Sequence, residues 1–177
     1  MGRSRYKIYE PTHPHFVTCT ILHWIPLFTR RESVQIILES LIYLQKSDNL
    51  KIYSYVILEN HLHLLISSDD LAKTVSKFKS FTAKELLKLL QKQNVRTVLE
   101  QLAFYKKQHK TDTEYQVWQE GYAPKLIGSE KMMLERINYI HQNPVKRGYV
   151  DEAKHWRYSS ARDYEGIKGL VEVERFW

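Results

Sequence analysis

Apolar positions along the chain repeat with two periods, and the switches between them mark out the elements. His15 to Leu22 is rich in β-branched residues and follows Pro11 and Pro14, which predicts a first strand. From Arg31 to Lys46 the spacing lengthens. Val34, Ile37, Leu38, Leu41 and Leu44 fall on one face of a helix. Two strands follow, Ile52 to Leu58 and Leu62 to Ser67, with Glu59-Asn60 near the reversal. Leu71 to Gln91 reads as a long helix, and Asn94 to Thr113 as a polar stretch holding Leu99, Leu102 and Phe104. Tyr115 to Trp118 is a short strand candidate, with Lys125 to Ile127 as its partner or a loop. Lys131 to Gln142 is a helix with Met133, Ile137 and Ile140 as its core stripe, stopped by Pro144. The aromatic tail from Trp156 to Trp177 is expected to pack back onto the rest.

Strand, helix, strand, strand, helix, strand, helix is the order of a split βαβ unit. The expected class is α+β, a ferredoxin-like antiparallel sheet with helices on one face and the other face open for a site. A chain of 177 residues suits one domain, with residues 1–10 as a basic arm and 156–177 as the tail. Apolar content of 43% excludes a disordered polyelectrolyte. A net charge of +7 leans toward a polyanionic partner, most simply nucleic acid. Cys19 stands alone, so no internal disulfide is expected, and no apolar run reaches the roughly 18–20 residues that span a bilayer. The basic start, Met1 to Lys7, leads into no signal-like apolar segment, and a cytoplasmic location is the expectation.

The chemistry concentrates at Asn60-His61-Leu62-His63-Leu64. Residues two apart on a strand share a face, roughly 6.5–7 Å apart. Two imidazoles so placed can grip one metal ion, and can equally be half-buried histidines bonded to backbone. On the later helix Tyr139 and Asn143 are four residues apart and lie away from the core stripe. Tyr139 can instead cover another element, and Asn143 can be an ordinary helix-end residue ahead of Pro144. Together the set suggests a divalent cation on His61, His63 and the Asn143 carbonyl, Mg²⁺ or Mn²⁺ by its oxygen ligand, Zn²⁺ by its imidazoles. Tyrosine oxygen is the nucleophile for a covalent phosphotyrosine.

These stretches resemble the single-tyrosine HUH transposases, most closely the REP-associated tyrosine transposases. The resemblance rests on Tyr55-Val-Ile-Leu-Glu-Asn-His-Leu-His-Leu-Leu-Ile66, Phe78-Lys-Ser-Phe-Thr-Ala-Lys-Glu85 and Trp118-Gln-Glu-Gly-Tyr122. It continues in Tyr139-Ile-His-Gln-Asn-Pro-Val-Lys-Arg-Gly-Tyr-Val150 and Trp156-Arg-Tyr-Ser-Ser160, in family order from about His15 to Tyr164. It implies a ferredoxin-like fold, His61 and His63 as metal ligands, Tyr139 as nucleophile and Asn143 as third ligand. The implied substrate is single-stranded or hairpin DNA with palindromic repeats, cut by nicking and strand transfer. Relatives include homodimers and monomers. Glu59 stands where many relatives have proline, a change expected to affect the turn more than the chemistry. Pro124 stands where many have a charged residue or histidine. The alternative is a domesticated, non-cleaving protein that binds structured nucleic acid.

For holding DNA, Lys73, Lys77, Lys84 and Lys88 fall on one stripe of the second helix, which is also the pattern of an ordinary solvated face. Arg3, Arg5 and Lys7 form a basic arm, and Lys146 and Arg147 follow the tyrosine helix. Lys106, Lys107 and Lys110 make a further cluster, and Tyr105, Tyr122 and Tyr149 are aromatics that could stack on bases.

Overall fold

The computed structural model describes Glu10 and residues 12–175. Its strands are β1 (His15–Thr20), β2 (Lys51–Ile57), β3 (His61–Ser67) and β4 (Lys125–Leu126). The helices are α1 (Arg31–Ser47), α2 (Leu71–Lys92), α3 (Arg96–Phe104), α4 (Glu130–Lys146) and a short α5 (Ala161–Tyr164). The sheet order is β2-β3-β1-β4 with every neighbour antiparallel. That is the split βαβ topology expected: α1 carries the chain over β3, and β2 and β3 form a tight hairpin.

β3 is buried along its whole length, so its alternation feeds two cores rather than one core and solvent. Leu62, Leu64 and Ile66 join Val17, Cys19 and the apolar faces of α1 and α2. On the opposite side Leu65 meets Phe16, Val56 and the stripe Met133, Ile137 and Ile140 of α4. The expectation of helices on one face holds for α1 and α2; α4 crosses the other. Its stripe of Met133, Ile137 and Ile140 is buried there against Phe16, Val56 and Leu65.

Three local readings change. Asn94–Thr113 contains a helix, α3, whose Leu102 is buried against the first core with Val98 and Leu99 packed beside it. Tyr115–Trp118 is no strand. It touches the sheet through one bridge, Ile21 to Trp118, and the true edge strand is β4. Pro144 does not stop α4, which runs to Lys146. A proline so near the end removes a single N–H bond, and burial of Asn143 and Pro144 holds the last turn in place.

The tail packs back as expected. The Ile57 N–H donates to the Tyr158 carbonyl (2.8 Å) and the Ser160 N–H to the Tyr55 carbonyl (3.0 Å), so residues 158–160 cover the outer edge of β2. His141 of α4 shares hydrogen bonds with Ser54 (3.1 Å) and Ser160 (2.9 Å), tying helix, strand and tail together. The Phe78 and Trp118 blocks also serve each other. Lys79 donates to the carbonyls of Gln119 (2.7 Å) and Gly121 (3.1 Å), and the Trp118 indole donates to Thr82 (3.1 Å). No helix among the described residues is long and apolar enough to cross a membrane.

Candidate active site and nucleic-acid surface

Because Leu62 and Leu64 point into the first core, His61 and His63 must point to the α4 side. There they sit 4.9 Å apart, ring centre to ring centre, at 78°. Register fixes their neighbours: Thr18 lies opposite His63, and Thr20 opposite His61. The Thr18 hydroxyl is 2.9 Å from His63 Nδ1, and the Phe16 ring stacks on the His63 imidazole at 5.3 Å. Tyr139 comes down from α4 to complete the group, 5.4 Å from His63 and 5.8 Å from Phe16. Arg136, one turn earlier, places its guanidinium over the Phe16 ring (5.2 Å) and 6.0 Å from the Tyr139 ring.

Asn60 decides the tautomer of His61. Its Nδ2 donates to the Trp24 carbonyl (3.1 Å), which can only accept, so its Oδ1 must face the imidazole. His61 Nδ1, 2.7 Å from that oxygen, therefore carries the proton, and Nε2 keeps its lone pair. Both imidazoles are held neutral. Burial, then the Arg147 charge, pushes His61 down to about 4, against the opposing pull of Glu59. Burial, His61 and Arg147 push His63 down to about 3. Neutral imidazole with a fixed proton is the form that ligates a metal.

Asn143 is buried on the same helix as Tyr139, which is itself 38% exposed. One lone pair of the Asn143 Oδ1 takes the Arg147 Nε–H at 3.2 Å, and a carbonyl oxygen has a second. Arg147 also donates to Glu59 Oε1 at 2.8 Å, while Glu59 Oε2 is buried without a hydrogen-bond partner. The Glu59 substitution thus reaches past the turn: its carboxylate anchors the arginine that leans on Asn143 and on the two histidines. Among the described residues no three His, Cys, Asp or Glu side chains are gathered around one point. The donors that fit a divalent ion are two imidazole nitrogens and one amide oxygen, which leaves room for phosphate oxygens. Arg147 takes one lone pair of the Asn143 oxygen, and an ion would have to use the other.

The candidate DNA contacts scatter. Arg3, Arg5 and Lys7 lie outside the described residues. Lys73, Lys77, Lys84 and Lys88 do form one exposed stripe, but α2 covers the α1 side of the sheet, away from Tyr139. Two of the four have carboxylate partners, Lys77 with Asp48 and Lys88 with Glu85 (2.7 Å). In the connector, Glu120 gathers Lys107 (3.1 Å), His109 (2.7 Å) and Lys110 (3.5 Å). Of the predicted basic residues Arg147 reaches the site, through Asn143 and Glu59, and Lys146 precedes it as the last residue of α4. Thr18, Trp24, Asn60 and Arg136 also stand there. The period-two pattern that faces Thr18 toward the histidines was available in the sequence, and Arg136 lies one helical turn before Tyr139; nothing in the sequence singled out Trp24.

The structure is thus a ferredoxin-like sheet that presents a His-x-His strand to a helix-borne tyrosine. The chain is 31% identical over 108 residues to a protein of Haemophilus influenzae provisionally named a REP-associated tyrosine transposase, covering 59% of this chain and 54% of that one. The match thus spans about half the length of that relative. A solved structure of a REP-associated tyrosine transposase bound to a REP hairpin superposes with a TM-score of 0.67. It has 17% identity and covers 98% of this chain and 93% of that one, which establishes the shared fold. A structure from Deinococcus radiodurans, provisionally named a transposase, gives 0.46 at 15% identity over 79% of this chain and 95% of that one, too distant to argue from. No protein-family model matches.

Proposed function

We propose that the chain is a metal-dependent DNA nicking and strand-transfer enzyme acting on single-stranded or hairpin DNA, with residues 1–177 as one catalytic domain. The observation that carries this reading is the meeting of Tyr139 with the His61–His63 pair, from elements far apart in sequence, at 5.4 Å between the Tyr139 and His63 rings. Both the relative's name and the hairpin in the matching structure support the choice of substrate.

His61 and His63, through Nε2, and the Asn143 Oδ1 would hold Mg²⁺ or Mn²⁺. For His63 this requires its Nδ1 to donate to the Thr18 hydroxyl. The ion would supply Lewis-acid stabilisation of charge on the scissile phosphate. Tyr139 Oη attacks phosphorus and loses its proton; the bond to the 3′ oxygen breaks, and that oxygen takes up a proton to leave a free 3′-OH. The DNA end stays joined through a 5′-phosphotyrosine, so the hydroxyl of the same or another strand can reverse the step. Arg147 and Lys146 hold the backbone beside the break, with Arg136 over the tyrosine side. Phe16 and the packed strand keep the imidazoles rigid, which saves reorganisation at the moment of reaction.

Incubation of the protein with hairpin DNA and Mn²⁺ tests this. A denaturation-resistant protein–DNA adduct is expected with the native chain and none with Tyr139→Phe. An adduct that persists in Tyr139→Phe removes the tyrosine from its role. Binding without an adduct under any divalent ion favours the non-cleaving alternative.

A further inference from the structure

Trp24 lies beside the site in a conformation its side chain does not favour. Its φ is 58° and that of His23 is 52°, so two successive large residues occupy the left-handed region where glycine and asparagine are usual. The surroundings leave them no alternative. Leu22 N–H donates to the Val117 carbonyl (2.8 Å), Trp24 N–H to the Ile21 carbonyl (3.0 Å), and Asn60 holds the Trp24 carbonyl (3.1 Å). Leu22 and Ile25 on either side are buried. From below, the His23 ring stacks on Tyr105 at 3.6 Å and 15°.

What this strained turn achieves is display. The Trp24 indole stays 54% exposed, while it meets the His61 ring edge-on at 5.4 Å. Behind it Tyr105 meets Phe104 at 5.1 Å, and Phe104 is 80% exposed. A strained backbone that holds a large apolar ring in water does not serve packing; such outliers point to function. Trp24 touches the imidazole pair as a single exposed ring, while the neighbouring His23, Tyr105 and Phe104 stack among themselves; a protein partner needs a broader apolar face. Flat, sequence-tolerant contact with a ring face is what an unpaired nucleobase makes, and a paired base within a duplex offers no free face.

Building on the DNA reading above, we infer that Trp24 is the stacking seat for an unpaired base next to the scissile phosphate. His23, stacked on Tyr105, anchors the turn that carries it. The seat sets which nucleotide lies over the histidines: base stacking on Trp24 fixes the position of its phosphate relative to Tyr139, without reading the base's identity.

The test uses the full chain and a hairpin oligonucleotide with single-stranded extensions, together with a set in which each unpaired nucleotide in turn is abasic. Dissociation constants are read by fluorescence anisotropy at one salt concentration. Trp24→Ala should weaken binding to the intact oligonucleotide by roughly five- to a hundredfold, the span of one base–aromatic stack. One abasic position should weaken the native chain to a similar extent and cost Trp24→Ala nothing more, and Trp24→Phe should keep most of the affinity. The thermal midpoint of Trp24→Ala should stay close to that of the native chain, since the ring removed is 54% exposed and alanine carries the same backbone strain. Unchanged affinity in Trp24→Ala overturns the seat, and so does a loss that adds to every abasic position alike. A native chain that binds none of the oligonucleotides overturns the DNA reading together with the seat. Trp24-dependent binding without a Tyr139 adduct upholds the seat and overturns only the cleavage chemistry.

Discussion

The two faces of one strand behave as different materials. Toward α1 and α2, β3 offers Leu62, Leu64 and Ile66 to an apolar core that contains Val17, Val75, Phe78 and Leu86. Toward α4 the same strand offers His61, His63 and Leu65 to a smaller cluster threaded with Thr18, Tyr139 and Asn143. The first face is stabilised by burial alone, worth about 1.5–3 kcal/mol per large side chain. The second gives up apolar area for imidazoles that must be desolvated, oriented and kept neutral. The contrast teaches how a small sheet can afford a site in its interior: one face carries the stability, which frees the other for chemistry.

Neighbouring residues of β3 give the sharpest way to break this division. Leu64→Ala should lose about 2–5 kcal/mol of unfolding free energy, read by denaturant titration, and keep Mn²⁺ affinity in whatever fraction remains folded. His63→Ala should lose less, about 1–3 kcal/mol, and lose Mn²⁺ binding by calorimetry. If His63→Ala were the more damaging of the two to stability, the chemical face would be carrying the fold.

The pH dependence of stability should follow the α4 face as well. Burial holds His141 down to about 4, against 6.5 for a free histidine. The unfolded chain therefore takes up the proton first. Stability is complete above about pH 6.5 and falls as pH drops toward 4, with His61 and His63 adding in the same direction. His141→Asn should flatten part of that fall, visible as a smaller change in Tm between pH 7 and pH 5. The smallest effect is expected on the far face. Lys84→Ala should weaken DNA binding only slightly, lowering the salt dependence by about one unit if it touches a phosphate. The rate of adduct formation at saturating DNA should not change. A changed rate would mean that α2 reaches the site after all.

Much of the architecture was legible because period and order suffice for it. The two long helices, the β2–β3 hairpin and the split βαβ topology all follow from spacing. What spacing cannot say is which side of a sheet a helix will cover. That is why α4 was expected beside α1 and α2, and why the α2 lysine stripe looked like part of the site. Pro144 read as a stop because the cost of proline is local and the burial that outweighs it is not. α3 was missed because it is only nine residues long and flanked by polar stretches, although Val98, Leu99 and Leu102 already had the helical spacing that packs them on the first core. In the site, His61, His63, Tyr139 and Asn143 stood out as residue types at strand and helix spacing. The link from Glu59 through Arg147 to Asn143 joins a hairpin tip to a helix end, and the Trp24 turn depends on positive φ at residues that rarely adopt it. Neither leaves a trace in the linear pattern.

The seam between β2 and residues 158–160 has a consequence for the order in which the molecule is made. During synthesis β1 to β3 and the first two helices emerge early and can bury their shared core among themselves. α4 emerges later, and the hydroxyl from Ser160 that its His141 shares with Ser54 arrives last. The tyrosine helix is therefore locked against the imidazoles only after residues 158–160 have been made. A product cut short before them would carry His61 and His63 without a fixed Tyr139 beside them.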